Sequence, residues 1–272
     1  MLWLVLFLLL IGPVSLGIER VFYLMGTYAV IDLPEESKVY RTYLFMRSLE
    51  EKLSPFVEDS EISILNRKAG KGPVRVSAET EEVLRKALYA YRRTFGYFDI
   101  TRGTGGPLSV KVYGGKVYLS KGARIDIGGI GKGYAVEKAY MFAGTEWGFV
   151  SIAGDMKVWG HRRVLAVRDP QGEGPLMQMV NSKDLCLSTS GNYIKEHIDQ
   201  SDRDLLQVTV VYTDCTFADA YATALFAMPR DLRRRFYREN PEVGALEVFR
   251  DGSLYMNRAF PEYFEVILIK KR

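Results

Sequence analysis

Two oxygen-bearing side chains with the spacing of metal ligands lie in the apolar segment FADAYATALFAM at 217–228. Asp219 and Thr223 are four residues apart, so a helix would place the carboxylate and the hydroxyl on one face. Oxygen ligands arranged in this way can hold a hard cation such as Mg²⁺, which takes its other ligands from water and substrate phosphate. The structural alternative is a carboxylate that complements the helix dipole beside a threonine of the core. The spacing alone favours that alternative, so a metal site needs support from other residues.

A second group of candidate residues lies in RIDIGGIGKGYAVEKA at 124–139, where a short strand is predicted to end at Asp126 and a helix to follow. Glycines around Lys132 would let the backbone approach a ligand closely, and the N–H groups of a helix N-terminus attract anions. A phosphorylated ligand is therefore expected, with a tight structural turn and a solvated lysine as the alternative. The spacing matches neither the GxxxxGK[ST] phosphate loop nor the GxGxxG dinucleotide fingerprint.

Three other polar residues are weaker candidates. Asp126 lies where the predicted strand ends and the glycine turn begins, and Asp99 lies in YFDIT. An aspartate in such a position either binds a hydroxyl or base edge of a ligand or caps the turn. His197 lies in the polar stretch EHIDQSDRD, where a lone histidine is more often a surface residue than a catalyst. The sequence offers no defensible Ser/His/Asp order and no zinc-ligand spacing.

The hydrophobic periodicity predicts the elements that must position these residues. Helical spacing is expected over 36–53, after Ser60, after Ser77, after Asp126, over 217–228 and over 231–237. Strands are expected at 21–32 and 207–213, with paired strands at 109–119, at 149–159 with 163–168, at 176–181 with 184–189, and at 244–249 with 253–257, and a last strand at 264–269. Strands outnumber helices and hairpins are frequent, which predicts an α+β fold with mixed or antiparallel sheets flanked by helices.

Composition limits the kinds of partner. The 272 residues are 47% hydrophobic and 26% charged, with a formal net charge of +4, as in an ordinary globular protein. The mild charge, and the lack of a basic cluster interleaved with aromatic residues, argue against nucleic acid as a partner. The basic run RDLRRRFYR at 230–238 is interpreted as a solvated helix face.

The two cysteines, Cys186 and Cys215, both lie in apolar runs typical of strands. A single disulfide could form in an oxidising compartment. We expect two buried free thiols instead.

The N-terminal residues predict export. Residues 2–11, LWLVLFLLLI, are wholly apolar, and the run is too short to span a bilayer comfortably. Ser15 and Gly17 are small residues at signal-peptidase spacing, so we predict a signal peptide over 1–17 and a single domain over 18–272. An uncleaved anchor is the second choice, which would attach the protein to the outer face of the inner membrane. No cysteine lies near the cleavage site, so a lipoprotein is not expected.

Seven segments together resemble the FAD:protein FMN transferase family, the ApbE-like flavin transferases. They are MGTYAV (25–30), LSPFVEDSEISILNR (53–67), YFDIT (97–101), IDIGGIGKGYAVEKA (125–139), FVSIAGDMKVWG (149–160), STSGNY (188–193) and ADAYATALF (218–226). Each segment alone is weak, but their common order makes the resemblance highly specific. The first glycine of the family's GGD pattern is Ala153 here.

The resemblance implies an enzyme with an ApbE-like fold and a flavin site in a cleft between sheet-and-helix halves. It would transfer FMN from FAD, through a phosphoester bond, to a threonine or serine hydroxyl of a target flavoprotein, and release AMP. The expected acceptor is a subunit of a membrane redox complex, which fits a periplasmic, membrane-associated enzyme. Implied catalytic residues are Asp219, Lys132 and His197; implied FAD contacts are Met25, Phe56, Tyr97, Phe98, Asp99, Asp126, Lys132 and His197; implied Mg²⁺ ligands are Gly129, Asp219, Ala222 and Thr223.

Two other functions stay open on the sequence: an FAD pyrophosphatase of the same fold that yields FMN and AMP, and a non-catalytic periplasmic flavin-binding protein. The chain is shorter than the family pattern after FDIT and before His197, and DQSDR replaces DPxTG after that histidine. The retained pair Asp219 and Thr223, together with Lys132, favours catalysis, because flavin binding alone would not need a metal pair.

Overall fold

The computed structural model describes residues 17–192, 198 and 200–270. Its helices are α1 (Glu36–Leu53), α2 (Glu61–Arg67), α3 (Ala78–Arg93), α4 (Gly131–Ala143), α5 (Cys215–Ala227) and α6 (Arg230–Glu239), with 3₁₀ turns at Pro107–Ser109 and Phe260–Tyr263. Its strands are β1 (Ile18–Leu24), β2 (Thr27–Leu33), β3 (Val74–Arg75), β4 (Val110–Tyr113), β5 (Lys116–Leu119), β6 (Gly148–Ile152), β7 (Asp155–Trp159), β8 (Val164–Arg168), β9 (Pro175–Asn181), β10 (Leu185–Gly191), β11 (Leu205–Tyr212), β12 (Gly244–Phe249), β13 (Leu254–Met256) and β14 (Phe264–Ile269). Within these ranges, no helix is both long enough and apolar enough to cross a bilayer.

An eight-stranded antiparallel sheet forms the centre of the fold, in the order β1-β2-β6-β7-β10-β11-β12-β13. Its two faces contribute to different cores, because successive side chains of a strand point to opposite sides. In β6, Val150 and Ile152 join the core shared with the helices, whereas Phe149 joins the core shared with the sheet β14-β9-β8. A third sheet, β3-β5-β4, completes the α+β fold, and this class was predicted correctly.

The segment 21–32, predicted as one strand, is part of a hairpin of β1 and β2. Met25 and Gly26 form its two-residue turn with φ of 52° and 74°. Two positive φ values are what a type I′ turn requires, and that turn matches the twist of the paired strands. The turn was not predicted because apolar residues continue through it and Gly26 is the one residue there that is typical of a turn.

The segment 149–159 also divides, into β6 and β7 with Ala153 and Gly154 at the turn. The predicted pairing of these strands was wrong. β8 pairs with β9, and β10 pairs with β7 and β11, so the chain crosses between two sheets in this region. Proximity in sequence favoured the wrong partners, since alternation within a strand does not identify its neighbour.

The two cysteines form a disulfide between Cys186 and Cys215, so the prediction of free thiols was wrong. Cys186 of β10 pairs across the sheet with Tyr212, at the end of β11. The chain then turns back and places Cys215 at the start of α5, with the two Cα atoms 5.0 Å apart. This proximity depends on strand pairing, which apolar composition does not reveal.

Helix α6 is more than the solvated face predicted for it. Arg233 has a fully buried side chain, which forms ion pairs with Asp202 (2.8 Å) and Glu247 (3.2 Å). The other arginines of the helix are more exposed, as the pattern suggested. A buried arginine needs such carboxylate partners because an unpaired buried charge is strongly destabilising.

Candidate functional site

One end of the eight-stranded sheet brings together several of the segments that carry the candidate residues. Ala29 pairs with Ile152, so the β1–β2 turn and the β6–β7 turn lie at the same end. Strand β10 ends at this end as well, because Leu187 pairs with Met156 next to the β6–β7 turn. Helices α4 and α5 pack against each other over the sheet and complete the site.

Close packing between α4 and α5 depends on Gly133. A methyl group there would lie 2.2 Å from the carbonyl oxygen of Cys215 and 2.6 Å from Cβ of Asp219. Both distances are far inside van der Waals contact, so any side chain would push the helices apart. The backbone N–H of Gly133 donates a 2.9 Å hydrogen bond to Oδ2 of Asp219, which fixes this carboxylate at the first turn of α4.

The predicted metal ligands come together around α5. Asp219 and Thr223 are one turn apart on the helix, and the Thr223 hydroxyl lies 3.4 Å from the carbonyl oxygen of Gly129. Ser190 of β10 adds a second hydroxyl, 3.5 Å from that of Thr223. Ala222 is a buried residue of the same helix, and a helical carbonyl keeps a second lone pair after its intrahelical bond. The donor set is therefore entirely oxygen.

Lys132 lies between two buried carboxylates. Its Nζ is 2.9 Å from Oδ2 of Asp155 and 3.8 Å from Oδ2 of Asp219. Asp155 also accepts a short hydrogen bond from the hydroxyl of Ser188. The sequence interpretation missed Asp155, Ser188 and Ser190 as site residues, although the first lies in the AGD turn and the serines lie in STSGNY.

The electrostatics of this cluster favour an additional cation. Burial, and then the negative charge of Asp155, raise the pKa of the Asp219 carboxyl to about 7. Burial alone would lower the pKa of the Lys132 ammonium, but Asp155 and Asp219 outweigh it and raise that pKa. Two carboxylates facing one ammonium leave an uncompensated negative charge. Buried carboxylate, hydroxyl and carbonyl oxygens fit a hard divalent ion such as Mg²⁺.

The two loop acids predicted as FAD contacts both organise backbone. Asp99 accepts hydrogen bonds from the N–H and the hydroxyl of Thr101, at 2.8 Å each. Asp126 accepts from the N–H of Gly128 at 2.8 Å and forms a 3.2 Å ion pair with Arg102. Both are thus turn residues in this structure, with partly exposed carboxylates, and that of Asp126 contacts the glycine segment that precedes α4.

The predicted aromatic and apolar contacts differ in how close they come to the cluster around Asp219 and Thr223. Phe98 is buried, and its ring would be 3.3 Å from a methyl group at Gly129, so this residue borders the cluster. Tyr97 is partly buried beside it. Met25 is in the β1–β2 turn, where its N–H donates to Glu50 of α1 (2.8 Å). Phe56 is 95% exposed and contacts solvent.

His197 falls outside the residues that the structure describes. Its predicted role therefore remains a prediction. Strand β10, which carries Ser188 and Ser190, leads toward that part of the chain.

Comparison with known proteins places this arrangement in a family. A model of the ApbE family matches residues 25–106 and 107–246. The FAD:protein FMN transferase of Chlamydia pneumoniae is 26% identical over 254 residues, which cover 71% of this chain and 76% of that protein. The FAD:protein FMN transferase of Treponema pallidum (strain Nichols) is 25% identical, over 77% of this chain and 76% of that protein.

Solved structures show the same fold. The ApbE protein of Thermotoga maritima superposes with a TM-score of 0.82 at 22% identity, over 92% of this chain and all of that one (100%). The flavin transferase ApbE of Vibrio cholerae gives a TM-score of 0.80 at 20% identity, over 91% of this chain and 99% of that one. With the match of the family model over most of its length, the chain belongs to the ApbE family and is a transferase.

Proposed function

We propose that this transferase moves FMN from FAD to a threonine or serine hydroxyl of a target flavoprotein and releases AMP, with Mg²⁺ as its metal. The observation that carries the proposal is the cluster of Asp219, Thr223 and the Gly129 carbonyl beside Lys132 at the start of α4. Such a cluster suits a substrate with two linked phosphates. The two relatives, both FAD:protein FMN transferases, support FAD as that substrate.

The proposed residue roles follow from charge and position. Lys132 would bind and orient the pyrophosphate oxygens, whereas the N–H groups of Gly131 and Gly133 already donate to Ile127 and Asp219. The acceptor hydroxyl oxygen would form a bond to the FMN phosphorus as the bond from that phosphorus to the AMP oxygen breaks. His197 is the proposed acceptor of the hydroxyl proton, and AMP leaves with the bridging oxygen. Phosphoryl transfer depends largely on such positioning and charge neutralisation.

Asp219, Thr223 and the carbonyl oxygens of Gly129 and Ala222 would hold the Mg²⁺ ion. When bound, that ion supplies positive charge to the phosphate groups. Gly133 keeps Asp219 in place through its N–H, so the ligand carboxylate is oriented before any substrate arrives. This pre-organisation is what electrostatic catalysis requires.

FAD recognition is proposed to involve the 97–99 loop, with Asp126, Met25 and Phe56 as further contacts. Replacing Tyr97 and Asp99 together with alanine removes a stacking surface and the acceptor that holds Thr101. We expect FAD affinity, measured by fluorescence titration, to fall at least about tenfold, or roughly 1.4 kcal/mol. Tyr113→Ala, which truncates an exposed tyrosine of β4, is the control and should bind as the wild type does. Equal affinity in the double variant would exclude this loop from the FAD site.

Product analysis tests transfer to a protein against hydrolysis of FAD and against binding alone. Purified full-length protein is incubated with FAD and Mg²⁺, with and without a candidate flavoprotein that contains an acceptor threonine. A transferase releases AMP only as the acceptor is consumed. A pyrophosphatase releases AMP and FMN without it, and a binding protein releases neither. The proposal predicts acceptor-dependent AMP release.

We also propose that residues 1–17 direct export and that residues 18–272 form a single domain outside the cytoplasm. There the domain would reach its proposed acceptor, a subunit of a membrane redox complex. The motivation is the apolar run at 2–11 followed by small residues. N-terminal sequencing should find a mature chain that begins near Ile18. An intact Met1 on membrane-bound protein would favour the uncleaved anchor, and an intact Met1 on soluble cytosolic protein would contradict export.

A further inference from the structure

Asp155 is a buried carboxylate that the proposed chemistry does not use. It begins β7 directly after the Ala153–Gly154 turn, and its side chain is 5% exposed. Two partners fix it: the Lys132 ammonium at 2.9 Å on Oδ2 and the Ser188 hydroxyl on Oδ1. It lies outside the helix face that carries Asp219 and Thr223.

The position of Lys132 explains why a second carboxylate matters here. Its Nζ lies 3.8 Å from Oδ2 of Asp219, too far for a hydrogen bond, and 2.9 Å from Asp155. Without Asp155, the ammonium of Lys132, whose side chain is 30% exposed, would lose its direct partner. Moving onto Asp219 would restore a paired carboxylate, because a charge that loses its partner in a largely buried pair is destabilising. An ammonium in that place would compete with any cation that Asp219 binds.

We propose that Asp155 is a positioning residue that holds the Lys132 ammonium away from Asp219 and so keeps Asp219 available for the divalent cation. The inference rests on the proposed metal site. Ser188 takes part by fixing the other oxygen of Asp155 across the β7–β10 pairing. In this arrangement, Lys132 stays available to the substrate phosphates and does not neutralise the charge of Asp219.

The test measures Mn²⁺ binding to the purified full-length protein by calorimetry, with Mn²⁺ as the probe for Mg²⁺ and no FAD present. Asp155→Asn removes the charge that holds Lys132, and we expect Mn²⁺ affinity to fall about tenfold or more, as for other residues that orient a metal ligand. Adding Lys132→Met to that variant removes the competing ammonium, so affinity should return toward the wild-type value. Such rescue is the non-additivity expected of residues that act through one another.

Control variants separate this role from general damage. Asp169→Asn alters another buried carboxylate paired with a lysine, Lys270, directly after β8, and it should leave Mn²⁺ affinity unchanged. Lys132→Met alone should bind Mn²⁺ at least as tightly as the wild type, which keeps the inference testable if Asp155→Asn does not fold.

Each contrary result has its own meaning. Unchanged affinity in Asp155→Asn, or weaker binding by Lys132→Met alone, would overturn the inference and leave the proposed metal site standing. A double variant as weak as Asp155→Asn would make Asp155 itself a ligand, which also overturns it. Failure of the wild type to bind Mn²⁺ would overturn the metal site and this inference together.

Discussion

Asp219→Asn should lower the turnover of FAD by a hundredfold or more, about 2.7 kcal/mol of transition-state stabilisation. The substitution keeps the size of the side chain and an oxygen that can accept from the Gly133 N–H, so the contact between α4 and α5 is preserved. It removes the negative charge on which cation binding depends. Turnover is measured as AMP release at saturating FAD over a range of Mg²⁺ concentrations.

The same experiment distinguishes loss of metal from loss of fold or substrate. FAD affinity should fall much less than turnover, because the flavin and adenine contacts lie elsewhere. Thr223→Val should give a milder loss that high Mg²⁺ partly recovers, since one neutral ligand is lost. Asp169→Asn, at a buried carboxylate directly after β8, is the matched control. Wild-type turnover and Mg²⁺ dependence in Asp219→Asn would require the metal site to be sought elsewhere.

Removal of the disulfide by Cys186→Ser with Cys215→Ser should lower the free energy of unfolding by about 3–4 kcal/mol. The two cysteines are 29 residues apart, and closing a loop of this length restricts the unfolded chain. Both are buried in the core, and Cys215 begins the helix that carries Asp219. Denaturant unfolding at equilibrium measures the effect.

Reducing agent provides the control for the disulfide. It should destabilise the wild-type protein by a similar amount and leave the double-serine variant unaffected. Equal stability of the oxidised wild type and the variant would show that the bond contributes nothing. A disulfide in a two-cysteine chain also accords with the proposed export, because oxidising compartments preserve such bonds.

Local periodicity predicted the elements well wherever one face of an element is buried. Helix α1 has the predicted bounds 36–53, because its apolar residues recur at helical spacing toward the sheet. The β1–β2 turn was missed because Met25 adopts a positive φ at a turn position that asparagine or aspartate usually occupies. Strand partners and the disulfide depend on contacts between distant segments, which no local pattern specifies.

The candidate site was predictable in part. The spacing of Asp219 and Thr223 predicted that they share a helix face, whereas the position of Gly129 beside them was implied only by the family resemblance. Asp155 was not predicted, because an aspartate after an Ala-Gly turn has the composition of an ordinary hairpin. Only the pairing of β7 with β10 and the packing of α4 bring it to Lys132 and Ser188.

The intact mass of a candidate acceptor flavoprotein, after incubation with the enzyme, FAD and Mg²⁺, tests the proposed transfer most directly. The proposal predicts that the acceptor gains the mass of one FMN group, that AMP appears in equal amount, and that Asp219→Asn abolishes both. AMP formed while the acceptor mass stays unchanged would contradict transfer to protein. Equal modification by Asp219→Asn and wild type would contradict the site assigned to it.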